Sequence, residues 1–241
     1  MAGDSEMTEF ERRAHLIKPY FNHLIRHGKD ILPPPFICEF LGSPSAGKTT
    51  IIRTLDKFWR RQRFRCWTPQ EGAEAIRYMD RNTPFYNIAT GLHAYRILME
   101  ISEGHQYDHV LFDRCVFDAY VWLKYRFRKD QLSADTTRMF QEFFLGTADR
   151  VDCAFVIICD PEVAIARETK HELTQQMGQH TNHDTIRLLI ECNRESYEEL
   201  KGRFEQLVLV DTTEMDEKTM IQHVAGRVLD RLEKKVIEAS V

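Results

Sequence analysis

An eight-residue pattern at Gly42 to Thr49, GSPSAGKT, constrains the fold of this chain more than any other feature. It fits G-x-x-x-x-G-K-[ST], which forms a phosphate-binding loop when it connects a strand to a helix. The apolar run 35–41 precedes the pattern, and residues 50–55 follow it with helical spacing. A Gly/Ser turn between a strand and a helix is the alternative, but such a turn does not require the complete pattern. We therefore predict a site for a nucleoside triphosphate.

Each residue type in this phosphate-binding loop has a physical role. Gly42 and Gly47 permit backbone angles and close approaches that a Cβ atom would block. Successive backbone N–H groups then surround an anion at the positive end of the next helix. Lys48 can reach the β- and γ-phosphates and the Thr49 hydroxyl can bind Mg²⁺, so ATP and Mg²⁺ are the predicted cofactors. The predicted nucleotide contacts are Gly42, Ser43, Pro44, Ser45, Ala46, Gly47, Lys48, Thr49 and Thr50.

The composition is that of a water-soluble globular chain. Its 241 residues suffice for one domain with a good core, and 43% of them are hydrophobic and 29% charged. The net charge of −4 argues against a general nucleic-acid coat protein. No apolar run has the length of a membrane span, and the acidic N-terminus lacks the apolar region of a secretion signal. Six scattered cysteines are interpreted as buried free thiols, so we expect a cytoplasmic location.

Five apolar strands alternate with helical segments along the chain, which predicts an α/β fold. This alternation favours a parallel sheet with helices on both faces, a three-layer αβα arrangement. Right-handed crossovers make it a doubly wound sheet with the nucleotide at the carboxyl ends of the strands. The predicted strands are 35–41, 64–68, 109–112, 151–159 and 207–210.

An extra helix with one apolar face, predicted from about Glu9 to Gly28, precedes the first strand. A proline-rich linker at 32–35 follows it. We therefore divide the chain into an N-terminal helix and linker at 1–34 and a main domain at 35–241. The helix is expected to cover one side of the core, because apolar faces usually do so. A partner-binding role, including a homodimer contact, is the alternative.

A basic run with interleaved aromatic residues ends the helix after the phosphate-binding loop, at 57–65. Such a run could bind a polyanion such as a nucleic acid. Cations also stabilise the C-terminus of a helix, and the aromatic residues can pack in the core. We favour this second interpretation because the chain is acidic overall.

Polar residues follow two of the predicted strands, where ligands bind in open α/β sheets. Asp113 and Arg114 follow the third strand, and an acidic residue at this position commonly holds Mg²⁺ together with the phosphate-binding loop. Asp113 and Thr49 are therefore the predicted metal ligands. Asp118 is interpreted as the cap of the next helix, and Glu71 as a polar group after the second strand.

Four motifs follow one another along the chain: GSPSAGKT at 42–49, TPQEG at 68–72, FDR at 112–114 and DPEVAIARETK at 160–170. Their order resembles the thymidylate kinase and deoxyribonucleoside kinase branch of the P-loop kinases, within the P-loop NTPase superfamily, over about residues 36 to 238. The resemblance implies the strand order 2-3-1-4-5. It also implies that Asp113 and Arg114 serve Mg²⁺ and the acceptor. Arg167 would bind the transferring phosphoryl group from a lid, and Glu71 would take the acceptor proton.

The chain departs from the thymidylate kinases in two places. The arginine that opens their loop after the second strand is absent from 69–72, and the lid, at about 165–185, is poor in arginine. Arg167, Lys170 and Arg187 are the cations available there. The lid histidines are interpreted as solvent-exposed groups rather than metal ligands. These departures concern the phosphoryl acceptor more than the donor.

The predicted function is transfer of the γ-phosphoryl group of ATP to a small-molecule acceptor, a nucleoside or nucleotide, with no membrane partner. A hydroxyl acceptor needs a base and a phosphate acceptor does not, so a requirement for Glu71 would indicate a nucleoside. A requirement for Arg77 would indicate a monophosphate instead. Two alternatives stay open: a kinase of polynucleotide 5′-hydroxyl ends or another hydroxyl, and a regulatory NTPase that hydrolyses slowly. The predicted catalytic residues are Lys48, Asp113, Arg114, Arg167 and Glu71.

Overall fold

The fold is given by a computed structural model. It describes residues 7–26, 35–104, 106–171 and 182–239, with the backbone alone at 20–26, 168–171 and 238–239. Several predicted features therefore lie outside the described residues: the helix end at Gly28, most of the linker, the Lys170 side chain and the lid centre at 172–181.

The elements alternate as the sequence predicts, with helices between successive strands. The strands are β1 (Phe36–Gly42), β2 (Cys66–Trp67), β3 (His109–Asp113), β4 (Cys153–Ile158) and β5 (Leu207–Asp211). The helices are α1 (Glu9–Arg26), α2 (Lys48–Arg61), α3 (Gly72–Ala75), α4 (Phe85–Ser102), α5 (Val116–Arg128), α6 (Ala134–Leu145), α7 (Pro161–His171), α8 (His183–Leu200) and α9 (Glu217–Ala239). Within the described ranges, no helix is both long and apolar enough to cross a bilayer.

The strands form one parallel sheet in the order β2-β3-β1-β4-β5, which confirms the predicted order. β1 lies between β3 and β4, and all of its residues are buried. Phe40 lies opposite Asp113 in β3, and Gly42 lies opposite Ile157 in β4. The carboxyl ends of the central strands therefore meet at one edge of the sheet, where the phosphate-binding loop begins.

Helices cover both faces of the sheet, so the three-layer αβα fold is confirmed. Side chains of β1 alternate between the faces, as the pleat of a strand requires. Ile37 and Leu41 pack in a buried cluster with residues of α4, α5 and α8, whereas Phe36 and Phe40 pack with residues of α2 and α9. The polar side chain of Glu39 lies on the face of the first cluster and contacts α5.

The extra N-terminal helix α1 packs against α9. Ala14 and Ile17 are buried in the cluster that contains α2 and α9. Arg13 forms ion pairs with Asp230 and Glu233 of α9, at 2.8 Å and 2.7 Å. The described part of α1 therefore covers one side of the core.

The basic run at the end of α2 is partly neutralised within the chain. Arg60 pairs with Asp56, and Arg65 pairs with Asp108. Trp59 is fully buried, so its ring is unavailable for stacking on the bases of a single strand. These contacts favour the interpretation in which the aromatic residues of the run belong to the core.

The second strand is shorter than predicted. The sequence predicts a strand at 64–68, but β2 has only two residues. The N–H of Phe64 donates to the carbonyl of Trp59 at the end of α2, and the N–H of Arg65 donates to the carboxylate of Asp108. Both N–H groups are therefore taken by other partners before the strand ladder begins.

The helix after β2 also ends early. The sequence predicts a helix at 73–79, but α3 stops four residues before that end. Arg77 turns back and donates from Nε to the carbonyl of Glu74, and Asp80 accepts the N–H of Asn82 in a tight turn. Local hydrogen bonds of this kind compete with helix formation.

Buried His109 makes the stability of the fold depend on pH. Its ring is fully buried, stacks on Trp59 at 4.1 Å and meets Phe36 and Phe64 edge-on, and burial lowers its pKa to about 3. The ordinary pKa of a histidine is 6.5, so between these two values the unfolded chain binds more protons than the folded chain. The contribution of His109 to stability therefore falls as the pH falls through this window, by about 3 kcal/mol at about pH 4.

Urea unfolding of the wild type and of His109→Phe near neutral pH and near pH 4 would measure this effect. The variant keeps an aromatic ring but cannot bind a proton, so we expect it to lose the His109 share, about 3 kcal/mol, of the change in unfolding free energy between these two pH values. His223→Phe, at an exposed position in α9, is the matched control and should keep the wild-type drop. An equal drop in the wild type and in His109→Phe would contradict this assignment.

Candidate functional site

The phosphate-binding loop has the backbone that its glycines predict. Gly42, Ser45 and Gly47 have positive φ angles of 126°, 55° and 102°. A Cβ atom on Gly42 would lie 1.8 Å from the carbonyl oxygen of Ile157, so no other residue fits there. The N–H of Ser43 donates to the same oxygen at 3.1 Å, which fixes the start of the loop on β4.

Lys48 is the first residue of α2, and its ammonium group lies within the phosphate-binding loop. Nζ donates to the carbonyl oxygens of Ser43 at 2.7 Å and Gly42 at 3.2 Å, and the residue is only 6% exposed. Burial, followed by the nearby Arg114 guanidinium, lowers the pKa of Lys48 to about 8. An anion bound in the loop would stabilise the charged form of Lys48, which burial disfavours.

Acidic groups surround this lysine. Asp113, Asp118 and Glu71 all lie near enough to raise the pKa of Lys48 against the effect of burial. Asp113 ends β3, and Thr49 lies exposed in the first turn of α2. A carboxylate and a hydroxyl are hard oxygen donors of the kind that Mg²⁺ prefers. The chemistry of these donors therefore fits the predicted metal.

Arg114 connects the loop after β3 to two carboxylates. Its Nε lies 2.8 Å from Glu71 Oε1, and its Nη1 lies 3.4 Å from Asp118 Oδ1. Its own N–H donates to the carbonyl of Phe40, and its guanidinium lies 5.9 Å from the ring centre of Trp122. The structure thus brings together the predicted Arg114 and Glu71, and it adds Asp118 to them.

A cavity of about 400 Å³ opens beside this ion-pair group. Its volume suits a small molecule. Burial raises the pKa of both Glu71 and Asp118, while the Arg114 charge opposes this shift. Pro44 of the phosphate-binding loop lines the same cavity, which therefore adjoins the triphosphate site. Its polar and aromatic walls include Glu71, Asn87, Arg114, Asp118, Trp122 and Arg126.

One wall of the cavity depends on the buried Arg126 of α5. Its Nε donates to Asn87 Oδ1 at 2.6 Å, its Nη1 to Gln131 Oε1 at 2.7 Å, and its Nη2 to the carbonyl of Arg81 at 2.8 Å. These bonds join α5 to α4 and to the turn before it. No pattern in the sequence marks this group, because residues 39 and 45 positions apart carry no local signal of contact.

The prediction that Asp118 caps α5 is wrong. Cys115 occupies the cap position, and its side chain makes no capping bond. The N–H groups of Cys115, Phe117 and Asp118 donate instead to the carboxylate of Glu39 in β1. Asp118 lies in the first turn of α5, whereas Arg114 lies two residues before the helix with a left-handed backbone. No local pattern in the sequence therefore marks Asp118 as part of the site.

Arg167 lies elsewhere in the described structure. It donates to Thr212 Oγ1 at 3.1 Å and to the Thr212 carbonyl at 2.9 Å, in the loop after β5. Thr212 Oγ1 in turn donates to the carbonyl of Ala46, so Arg167 lies behind the phosphate-binding loop. The structure does not bring it into the group of charges around Lys48, and its predicted role in phosphoryl transfer stays a prediction.

Comparison with known protein families decides where the chain belongs. A family model described as an AAA domain matches residues 38–206. The chain belongs to the AAA domain family. The matched part of this AAA domain includes the whole phosphate-binding loop, β3 and the residues that line the cavity. Comparison with curated protein sequences gives no match.

Solved structures similar to this AAA domain include two of deoxyadenosine kinase from M. mycoides. The one with bound dATP is 14% identical, with a TM-score of 0.55 over 80% of this chain and 99% of that one. The one with the products dCMP and a flexible dCDP is 14% identical, with a TM-score of 0.56 over 81% and 100% of the two chains. The likeness shows that this chain has the fold of these two structures.

Proposed function

We propose that this AAA domain is an ATP- and Mg²⁺-dependent phosphotransferase that acts on a nucleoside-like hydroxyl. The observation that carries the proposal is the ion pair between Arg114 and Glu71, in the wall of a cavity that adjoins the phosphate-binding loop. A triphosphate in the loop and an acceptor in the cavity would meet at this pair. The similar deoxyadenosine kinase structures hold dATP, dCMP and dCDP, which is consistent with such an acceptor.

The donor would be held by the phosphate-binding loop. Backbone N–H groups of the loop and the α2 N-terminus would bind the phosphates, and the Lys48 ammonium would balance charge on the γ-phosphoryl group. Thr49 and Asp113 would bind Mg²⁺, which supplies further charge neutralisation when present. Catalysis of this kind depends mainly on positioning and electrostatic stabilisation, which the loop amides and Lys48 would provide.

A carboxylate in the cavity wall favours a hydroxyl acceptor over a phosphate, because a hydroxyl needs a base and a phosphate does not. Glu71 and Asp118 place two carboxylates beside Arg114. The other buried cation of the wall, Arg126, is already bonded to protein oxygens. Those oxygens are neutral, so the two carboxylates and the two guanidinium groups balance, and no surplus positive charge is left for a phosphate on the acceptor. Arg77, the residue expected to indicate a monophosphate, is exposed and bonded to α3.

The reaction follows from this arrangement. The acceptor oxygen would attack the γ-phosphorus, a new P–O bond would form, and the bond to the departing ADP would break. Glu71 would accept the hydroxyl proton, and burial, which raises its pKa, makes it a better base. Arg114 would orient both Glu71 and the acceptor, and Arg167 would close on the phosphoryl group only after a movement of the lid.

Other parts of the proposal concern the surroundings of the enzyme. A cytoplasmic location would keep its cysteines reduced; Cys38, Cys66, Cys115, Cys153, Cys159 and Cys192 are all buried free thiols. The partner that we propose is the small-molecule acceptor. A homodimer stays a prediction from the sequence.

A screen of ATP consumption across nucleosides and nucleoside monophosphates, with product masses, tests the proposed function. We expect a nucleoside to gain one phosphoryl group and the monophosphates to react poorly. Slow hydrolysis that no acceptor changes would favour a regulatory NTPase, and phosphorylation of oligonucleotide ends would favour a polynucleotide kinase. Either outcome would contradict the proposal.

Glu71→Gln is expected to lower kcat for the nucleoside by about 10²- to 10⁴-fold, because it removes the proton acceptor and keeps the size of the side chain. The KM for ATP should change little, since Glu71 faces the acceptor cavity. Initial rates at saturating ATP and varied nucleoside measure the effect. Glu100→Gln, on the exposed face of α4, is the matched control. Wild-type kcat in Glu71→Gln would exclude Glu71 as the base.

A further inference from the structure

A fully buried carboxylate lies in the central strand of the sheet. Glu39 is 0% exposed, although its neighbours in β1 are apolar. Its Oε1 accepts the N–H groups of Cys115 and Asp118, each at 2.8 Å, and its Oε2 accepts the N–H of Phe117 at 3.2 Å. Glu39 therefore takes the place of a capping residue for α5, from a different element.

The backbone is unusual just before the N-terminus of α5. Arg114 has a φ of 71°, a left-handed conformation that a non-glycine residue rarely adopts. Such a conformation persists only where the surroundings hold it, and it is concentrated at functional sites. Here β1 holds both sides of the turn. The carbonyl of Phe40 accepts the N–H of Arg114 at 3.0 Å, and the carboxylate of Glu39 accepts the N–H of Cys115.

The turn determines where the charged groups of the cavity lie. Arg114 reaches Glu71 from this backbone position, and Asp118 occupies the first turn of the helix that Glu39 caps. The Glu39 carboxylate accepts the N–H of Asp118 itself. A change at Glu39 would therefore move the guanidinium and one carboxylate relative to Glu71, which belongs to another loop.

We propose that Glu39 is a positioning residue for the acceptor site, and this inference rests on the proposed phosphotransferase function. It does not touch the cavity in the described structure. It acts through Arg114 and Asp118, by holding the turn before α5 against β1. If Glu39 has a purely structural role, its substitution will change stability alone. If Glu39 positions the acceptor site, its substitution will also change kcat/KM for the nucleoside.

Two variants separate these roles. Glu39→Gln keeps the shape of the side chain but turns an NH₂ group toward backbone N–H donors. Asp152→Asn is the matched control, because Asp152 is another largely buried carboxylate bonded to β1. It accepts the Ile37 N–H at 2.8 Å and pairs with Lys235 at 2.7 Å, at the end of the strand opposite the site. Circular dichroism and urea unfolding would give the fold and stability of each variant.

Steady-state kinetics form the first test. A misplacement of about 1 Å can cost about 10²-fold in rate, so Glu39→Gln should lower kcat/KM for the nucleoside by about 10- to 100-fold. The KM for ATP should stay near the wild-type value, because the phosphate-binding loop does not contact Glu39 through a described bond. Asp152→Asn should leave kcat/KM for the nucleoside unchanged. Equal losses in the two variants, or none in Glu39→Gln, would overturn the proposal.

An NMR spectrum of the arginine side chains forms the second test, which does not depend on enzyme activity. The Nε–Hε signal of Arg114, assigned by its absence in Arg114→Lys, reports the ion pair with Glu71. We expect Glu39→Gln to shift or broaden this signal and Asp152→Asn to leave it in place. An unchanged Arg114 signal in Glu39→Gln would overturn the positioning role. If the wild type shows no transferase activity, the proposed function fails, while this spectrum still decides whether Glu39 positions Arg114.

Discussion

Lys48→Ala is expected to lower ATP-dependent turnover by about 10³-fold without lowering the free energy of unfolding. The ammonium group is the buried cation of the phosphate-binding loop, bonded to Ser43 and Gly42. Its loss removes charge stabilisation where negative charge concentrates in the transition state. Since burial lowers the pKa of Lys48 to about 8, holding its charge costs the fold free energy. The variant should therefore be at least as stable as the wild type.

Turnover and urea unfolding, measured on the same preparations, test this prediction. Lys57→Ala is the matched control, because Lys57 lies in the same helix with its side chain exposed. We expect it to keep wild-type turnover. Full turnover in Lys48→Ala would contradict the proposed donor site. A loss of unfolding free energy as large as the loss of transition-state stabilisation would show that Lys48 has a structural role instead.

Gly42→Ala is expected to destabilise the fold by about 3 kcal/mol or more. The added Cβ would lie 1.8 Å from the Ile157 carbonyl oxygen and within 3 Å of two further backbone atoms of that residue, which cannot move without breaking the β1–β4 ladder. The φ of 126° adds strain for any residue with a Cβ. Urea unfolding of the variant and the wild type measures the difference.

Gly226→Ala is the control for this substitution. Gly226 lies inside α9, and nothing is within 4 Å of the position that its Cβ would occupy. Alanine is favoured over glycine inside a helix, so this variant should gain about 1 kcal/mol of stability. A Gly42→Ala variant as stable as the wild type would mean that the described backbone of the loop is wrong.

The parts of the site that could be predicted are those with a local signal. The phosphate-binding loop combines a fixed pattern with a strand before it and a helix after it. Asp113 could be found because it ends an apolar strand, and Arg114 follows it directly. The strand order came from the resemblance of the motifs, and the sheet confirms it.

The remaining groups depend on contacts between distant parts of the chain. Glu39 lies within an apolar run, and the N–H groups that it accepts are 76 to 79 residues away. Arg126 and Asn87 meet only because α4 and α5 pack side by side. Asp118 meets Arg114 across the turn before α5, and its position near the start of the helix favoured a capping role that Glu39 takes instead.

The central claim is that the loop amides and the Lys48 ammonium bind the phosphates of a nucleoside triphosphate. Calorimetric titration of ATP with Mg²⁺ into the folded wild type and into Lys48→Ala measures this binding. We expect saturable binding at one site in the wild type and an affinity at least about tenfold lower in the variant, a difference of about 1.4 kcal/mol. No saturable binding to the folded wild type, or equal affinity in both proteins, would contradict it.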